Sequence, residues 1–222
     1  NPEHQPIRPA IAHAVYGYRA EDPIGWLVSD HNVAEAEQPH RDRVLATCAS
    51  LVSLMTEVDL AKQERTYSST HDELTGLSKL IALMAEVDRV LSDDDVTQIC
   101  VLRMDIGGLK DINDKYDRSV GDDVLIEAGN RLRQAVGSGG MIARVGGGEF
   151  VIKAAGMPSE ASAVELAQLI IDGIEEPFQV GTGKVSLTAT VGLALSEPGM
   201  DAATVVRNAE LSHYRANASG PG

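Results

Sequence analysis

Apolar and polar positions change their pattern twice along the chain and divide it into three stretches. In the first, two short apolar runs at 11–19 and 24–31 flank the turn-prone sequence AEDP, which predicts a β-hairpin. Two strands alone are only marginally stable in water. We therefore expect the hairpin either to pack on the remaining chain or to be the tail of a sheet that begins before residue 1.

The second stretch, residues 39–70, has the pattern of a helix. Large apolar residues recur at alternating spacings of four and three, as at the a and d positions of a coiled coil: Val44, Cys48, Leu51, Met55 and Val58. The polar sequence DLAKQERTYSST follows without a Gly or Pro break. Two interpretations remain open, an amphipathic helix that lies on its own domain and a dimer-forming connector.

In the third stretch, helical and strand-like patterns alternate. The pattern predicts helices at 77–91, 120–136, 161–174 and 202–216, and strands at 97–106, 141–145, 149–155 and 184–196. The sequence GGG separates the second strand from the third. This alternation with one central hairpin is typical of an α/β sandwich, in which helices cover a mixed sheet.

The overall charge is strongly acidic. Lys and Arg total 19 against 33 Asp and Glu, a net charge of −14, so nucleic acid is not expected as a partner, because phosphate backbones need clustered basic side chains. A nucleotide remains compatible with this charge, since one phosphate site needs only a metal ion and a few local donors.

Cys48 and Cys100 lack the spacing of a metal site or a disulfide framework and are expected to be buried in a reducing compartment. No apolar run approaches the roughly 18 residues of a membrane span, which predicts a cytoplasmic chain with no membrane segment in this portion.

Three motifs occur in a fixed order: DELTGL at 72–77, DIGGLKDINDKYDRSVGDDVL at 105–125 and RVGGGEF at 144–150. They resemble the diguanylate cyclase family, whose signature is GGDEF, and the later sequences TATVGLAL and AELSHYRANASG resemble its next strand and C-terminal helix. The resemblance implies a GGDEF palm fold of the α/β (α+β) class over residues 71–222, with a central, mostly antiparallel sheet flanked by helices. Residues 37–70 would form the connector helix. Residues 1–36 resemble the last strands of a GAF sensory domain, by pattern alone.

The resemblance also implies a reaction and a metal site. In this family two domains face each other, each holds one GTP with two divalent cations, and together they form cyclic di-GMP. The positions that match metal ligands or catalytic groups are Asp105, the backbone carbonyl of Ile106 and Glu149 for the metal, and Glu149 and Lys110 for catalysis. Carboxylate and carbonyl oxygens suit Mg²⁺, which is the cofactor expected if nucleotide binding is retained.

Four further residues match nucleotide-binding positions of the family. The resemblance assigns guanine recognition to Asn113 and Asp122, and Gly146 and Gly147 would form a turn that lets a nucleotide approach the backbone. GTP or another guanine nucleotide, weakly bound, is therefore the expected ligand. The family also suggests a homodimer and a downstream EAL domain as partners.

The chain departs from the family pattern at positions that carry chemistry. Gly148 replaces the acidic third residue of the signature, and the phosphate-binding Lys and Arg of the last helix are replaced by Asn217 and Pro221. The product-binding motif RxxD falls at 137–140, where the sequence is GSGG. We therefore expect a degenerate GGDEF domain of a cyclic di-GMP signalling protein, with little or no diguanylate cyclase activity, a regulatory or dimerisation role and weak GTP binding. The alternatives are a slow, active diguanylate cyclase and a dimer scaffold that binds no nucleotide.

Overall fold

The N-terminal apolar runs form a pair of antiparallel strands, β1 (Ile11–Tyr16) and β2 (Pro23–Ser29). They belong to the first of two units, Asn1–Tyr67 and Ser68–Gly222, of a computed structural model. The structure describes residues 11–16, 23–29, 38–93, 98–157 and 159–218. The predicted pairing is confirmed, with both strands shorter than the apolar runs, and the turn between them lies outside the described residues.

The long helical pattern forms one helix, α1 (Gln38–Thr70). Most of its large apolar side chains are more than a third exposed: Val44, Leu51, Val52, Leu54, Met55, Val58, Leu60 and Tyr67. Cys48 is exposed as well, so its predicted burial is wrong. Cys100 is buried as expected, and burial raises the pKa of its thiol to about 12.

Helix α1 also bears on the expectation about membranes. Its segment Arg43–Thr70 is long and apolar enough to cross a membrane by length and composition alone, and it is the one helix in the described part of the chain with this property. The expectation that no stretch has such a composition is therefore not met. Helices of soluble proteins can have the same composition, so this property alone does not place α1 in a membrane.

The second unit is built on an antiparallel sheet. Its strands are β3 (Ile99–Gly107), β4 (Met141–Gly146), β5 (Glu149–Ala155), β6 (Phe178–Val180), β7 (Gly183–Val185) and β8 (Thr188–Leu195). Four of them form one sheet in the order β4-β5-β3-β8, with antiparallel pairing throughout, while β6 and β7 form a separate hairpin. The mostly antiparallel sheet implied by the resemblance is confirmed, and the mixed sheet expected from the alternation of elements is wrong.

Five helices complete this unit: α2 (Leu80–Leu91), α3 (Leu109–Lys115), α4 (Arg118–Val136), α5 (Glu160–Glu175) and α6 (Ala202–Ala218). The four longer ones agree with the predicted helices to within three residues at either end. Helix α3 and strand β6 are not predicted, because seven and three residues are too short to show a period. The strand predicted at 184–196 is interrupted, and its first part pairs with β6 as β7.

Side chains of the central strand β3 alternate between the two faces of the sheet. Its even-numbered residues pack with α3, α4 and α5 in one hydrophobic core. Ile99 and Val101 pack with α2 and α6 in a second core on the other face. Arg103 and Asp105 continue the series of Ile99 and Val101 with a period of two. They therefore lie on the face that α6 covers, at the end of β3 nearest the signature turn.

Candidate functional site

The signature residues form a tight turn between β4 and β5. Gly146 pairs with Glu149, so Gly147 and Gly148 are the two central residues of a hairpin turn. Gly147 has a φ of 50°, in the left-handed region where a side chain is strained, which explains why glycine suits this position. The turn expected at Gly146 and Gly147 is formed, and their role in nucleotide binding stays a prediction.

Two of the predicted metal ligands lie opposite each other on neighbouring strands. Asp105, near the end of β3, is in register with Glu149, the first residue of β5. Side chains of residues paired in this way lie on the same face of the sheet, close to each other. The structure thus brings together the two carboxylates that the sequence motifs single out.

Gly148 lies beside these ligands but contributes no side chain. It is buried, and a Cβ atom added there would lie 3.0 Å from the carbonyl oxygen of Ile106 and 3.4 Å from Oδ1 of Asp105. The side chain of an acidic residue at position 148 would therefore begin next to the oxygen atoms of both residues. In the described part of the chain, no three His, Cys, Asp or Glu side chains are grouped closely enough to hold a metal ion. This donor set does not fit the two divalent cations that the resemblance implies.

A basic side chain is bound to one of the two carboxylates. Nη2 of Arg103 donates a hydrogen bond of 2.7 Å to Oε2 of Glu149. The side chain of Arg103 is 14% exposed and that of Glu149 is 47% exposed, so the ion pair reaches from the covered part of the sheet to solvent. No motif singles out Arg103. The signal in the sequence is a lone charge in an apolar strand, two residues before Asp105.

Helix α6 approaches the same group of charges because Gly192 has no side chain. A Cβ at Gly192, which pairs with Arg103 across the sheet, would lie 1.9 Å from the backbone nitrogen of His213. Burial lowers the pKa of His213, Asp105 opposes this shift, and Arg103 adds to it. Nδ2 of Asn217 lies 3.3 Å from Nε2 of His213, so the amide that replaces the family's phosphate-binding lysine is hydrogen-bonded within its own helix. Pro221 lies outside the described residues.

The residues predicted to read guanine lie on α3 and α4. Asn113 is exposed on α3, and Asp122 is half-buried in the first turns of α4. Gly121 lies directly against Asn113, since a Cβ on Gly121 would be 2.0 Å from its Oδ1. Asn113 is thus held next to the residue that precedes Asp122. Lys110 is exposed in the first turn of α3, and its catalytic role stays a prediction.

The motif DELTGL is attached to the signature turn through one arginine. Oδ1 of Asp72 accepts hydrogen bonds from the backbone and side chain of Thr75 and from Nη1 of Arg144, and Nε of Arg144 donates to the carbonyl oxygen of Gly147. Partial burial raises the pKa of Asp72, but the bonds from Thr75 and Arg144 outweigh it and hold this pKa below its usual value. The two motifs are therefore one structural unit, although 72 positions separate Asp72 from Arg144.

In the segment 137–140, where RxxD would fall, the last three residues line a cleft beside α2. Glu86, Arg89 and Lys153 also line this cleft. Glu86 accepts hydrogen bonds from both basic side chains, and the bond from Arg89, assisted by Lys153 against the effect of burial, lowers its pKa to about 2. The basic groups of this cleft are thus already paired with a carboxylate.

The second unit is the part of the chain that matches a known protein family. A family model described as "Diguanylate cyclase, GGDEF domain" matches residues 69–222. The uncharacterized protein y4lL of Sinorhizobium fredii is 36% identical over 168 residues, which cover 73% of this chain and 20% of y4lL. MucR of Pseudomonas aeruginosa, a bifunctional diguanylate cyclase/cyclic di-GMP phosphodiesterase, is 32% identical over 170 residues, which cover 75% of this chain and 25% of MucR. The chain thus spans a quarter or less of the length of these two relatives.

A solved structure shows the same architecture. The GGDEF domain of TpbB (YfiN) from Pseudomonas aeruginosa matches with a TM-score of 0.64 at 30% sequence identity. The match covers 68% of this chain and 91% of that domain. It therefore extends over nearly the whole of the TpbB domain.

Proposed function

Because the chain belongs to the GGDEF-domain family of diguanylate cyclases, we propose that it acts in cyclic di-GMP signalling as a degenerate domain with little or no cyclase activity. Its role is regulatory or dimer-forming, with weak binding of GTP. The family and the palm fold expected from the motifs are confirmed. The boundaries we propose are 1–36 for a GAF-like sensor tail, 37–70 for the connector and 71–222 for the GGDEF domain.

The observation that carries this proposal is the incomplete set of oxygen ligands at the signature turn. Mg²⁺, when bound in this family's site, supplies positive charge next to the reacting phosphate. Here Asp105 has no second free carboxylate beside it, because position 148 is glycine and Glu149 is bonded to Arg103. Hard divalent cations need several oxygen ligands at once. Two such ions are therefore not expected to be held in the geometry that cyclisation requires.

Weak nucleotide binding is supported by what remains of the base and phosphate sites. Asn113 and Asp122 keep the amide and carboxylate that match guanine recognition, and Gly121 lets Asn113 lie against α4. The two basic phosphate contacts are lost at Asn217 and Pro221. Hydrogen bonds to charged groups contribute roughly 1.5–3 kcal/mol each, so losing two lowers GTP affinity by about 10²–10⁴-fold.

A dimer-forming role is supported by α1. Its apolar side chains at coiled-coil spacing are exposed, as expected for a connector that pairs with a second copy. We place the GGDEF domain in the cytoplasm, where its nucleotide is made. The bifunctional name of MucR, of which this chain matches a quarter, supports a downstream phosphodiesterase domain of the EAL type as a further partner.

The alternative function is a slow diguanylate cyclase. One observation favours it: Asp105 and Glu149 keep their cross-strand register, and the side chain of Glu149 is 47% exposed. Both carboxylates could then contribute to one weakly held cation, with Lys110 near the phosphates.

Titration of the 222-residue chain with GTP and Mg²⁺ in a calorimeter, followed by chromatography of the same sample, tests the proposal. We expect weak binding of GTP, a preference for GTP over ATP, and no cyclic di-GMP. The substitution Asn113→Ala should abolish the preference for GTP, because it removes the amide that contacts the base. Gly148→Asp should raise cyclase activity only if the remaining pocket is competent.

The other outcomes would favour a different function or remove Asn113 from the site. Cyclic di-GMP made by the unmodified chain would contradict the proposal and favour the slow cyclase. Absence of GTP binding would leave a dimer scaffold. Unchanged affinity and selectivity after Asn113→Ala would remove this residue from the base site.

A further inference from the structure

The positive charge beside Glu149 comes from the protein itself. The guanidinium of Arg103 lies 2.7 Å from Oε2 of Glu149, and Arg103 is on the central strand of the sheet, so its backbone is fixed by pairing on both sides. On the other face of this cluster, α6 brings His213 close enough for Arg103, Asp105, Glu149 and Glu210 all to act on its charge.

We propose that Arg103 takes the place of a divalent cation in this site. It neutralises Glu149, and the chain therefore binds no divalent cation between Asp105 and Glu149 until Arg103 is removed. The inference deepens the proposed function and concerns the same site. It goes beyond the loss of a ligand at Gly148, because it identifies a group that actively excludes the metal.

Charge and geometry support this exclusion. Asp105 and Glu149 carry two negative charges, and the guanidinium cancels one of them. An incoming cation would have to displace Arg103 from Glu149 and then remain next to a second positive charge, which Coulomb repulsion disfavours at such short range. The side chain of Arg103 is only 14% exposed, so solvent screens this repulsion less than at an open surface.

The geometry also shows why the pair is retained without a metal. The guanidinium of Arg103 is the largely buried member of the pair, and a buried charge needs a partner, because leaving it unpaired costs more than the pair contributes. Since Gly148 supplies no further carboxylate for a pair of metal ions, a guanidinium is the counter-charge that the fold supplies from its own central strand.

Mn²⁺ binding in the absence of nucleotide tests the inference. Free Mn²⁺ is measured by electron paramagnetic resonance during titration of the unmodified chain and of Arg103→Met. The variant should bind one Mn²⁺ at least about tenfold more tightly, as expected for removing one unit charge near a half-exposed site. The melting temperature of the variant should rise on addition of Mn²⁺ more than that of the unmodified chain, because a ligand that binds only the folded state stabilises it.

Two controls assign the effect to this site. Arg89→Met removes an arginine that forms an ion pair with a different glutamate, Glu86 on α2, and should leave Mn²⁺ affinity unchanged. In the double variant Arg103→Met with Glu149→Gln the gain should disappear. Should Arg103→Met fail to fold, Arg103→Gln provides the same charge removal with a side chain that can still donate a hydrogen bond.

The inference is overturned if the unmodified chain binds Mn²⁺ as tightly as either Arg103 variant, or if the gain survives Glu149→Gln. These results are independent of the cyclase assay. Tight Mn²⁺ binding without cyclic di-GMP would refute the role of Arg103 and leave the proposed function intact. Cyclic di-GMP from a chain that binds no Mn²⁺ without nucleotide would refute the proposed function and leave the role of Arg103 intact.

Discussion

At Gly121, Gly148 and Gly192 the absence of a side chain has three different consequences. Gly121 lets the side chain of Asn113 lie against α4, and a flexible side chain could move aside for a Cβ. Gly148 leaves Asp105 without a neighbouring side chain at that position, and a Cβ there would be in close contact with the carbonyl oxygen of Ile106, at 3.0 Å. Gly192 lets the backbone of α6 approach the sheet, and backbone atoms cannot move aside without moving the helix. Of these three glycines, Gly192 is the one whose Cβ would overlap with backbone atoms of another element.

The substitution Gly192→Ala should therefore destabilise the domain. Its Cβ would lie 1.9 Å from the nitrogen and 2.3 Å from the Cα of His213, so α6 would have to shift. Overpacking of this kind costs typically 1–3 kcal/mol, and we expect a loss of at least this size in the free energy of unfolding, measured by urea denaturation.

Gly173→Ala is the matched control for Gly192→Ala. Gly173 lies within α5, and a Cβ there would meet nothing within 4 Å. Alanine is favoured over glycine in a helix by roughly 0.5–1 kcal/mol, so this variant should be slightly more stable. Equal behaviour of the two variants would show that α6 does not depend on Gly192 for its position.

At the scale of elements, Arg131 joins α4 to the end of α5 and the start of β6. Its guanidinium donates hydrogen bonds to the carbonyl oxygens of Gly173, Glu176 and Pro177 and stacks on the ring of Phe178, 3.8 Å from the centroid. The last carbonyls of a helix have no partner within the helix. One planar side chain thus satisfies the carbonyl of Gly173 in the last turn of α5 and two carbonyls of the segment that follows the helix.

Replacement of this arginine should destabilise the fold even when the charge is kept. In Arg131→Lys a single ammonium group cannot reach three carbonyls and stack on Phe178, and loss of charge-assisted hydrogen bonds should lower the free energy of unfolding by roughly 1.5–3 kcal/mol. Urea denaturation of this variant is compared with Arg207→Lys, which changes an exposed arginine on α6 and should alter stability by less than about 0.5 kcal/mol. A similar result for both would mean that the contacts of Arg131 contribute little.

The order of the longer elements could be predicted from the sequence, and the motifs assigned Asp105 and Glu149 to one metal site by resemblance. Periodicity and motif spacing are local properties, and they remain visible in a single chain. The ion pair of Arg103 with Glu149 could not be predicted in this way, because its partners are 46 positions apart and meet only through the register of β3 and β5. The approach of His213 depends likewise on the packing of α6 at Gly192.

The burial of Cys48 was expected wrongly for a related reason. An apolar seam on a helix indicates that something covers it, but the pattern does not identify the cover. In α1 the seam is exposed within one chain, and the same residues are compatible with a second helix or with lipid. At the scale of the whole molecule, the surface that covers this seam therefore determines whether α1 forms a dimer or contacts lipid.

We expect that partner to be a second copy of α1. Leu51 and Met55 occupy successive seam positions and are 54% and 65% exposed. Burial of such side chains contributes roughly 1.5–3 kcal/mol each, so Leu51→Asp, which changes both copies, should weaken dimerisation at least about 100-fold in sedimentation experiments. Ala46→Asp adds the same charge outside the seam and should leave the dimer unchanged. A chain that stays monomeric at all concentrations, or one that both substitutions affect equally, would contradict pairing through this seam, and binding of the unmodified chain to lipid vesicles would identify the alternative cover.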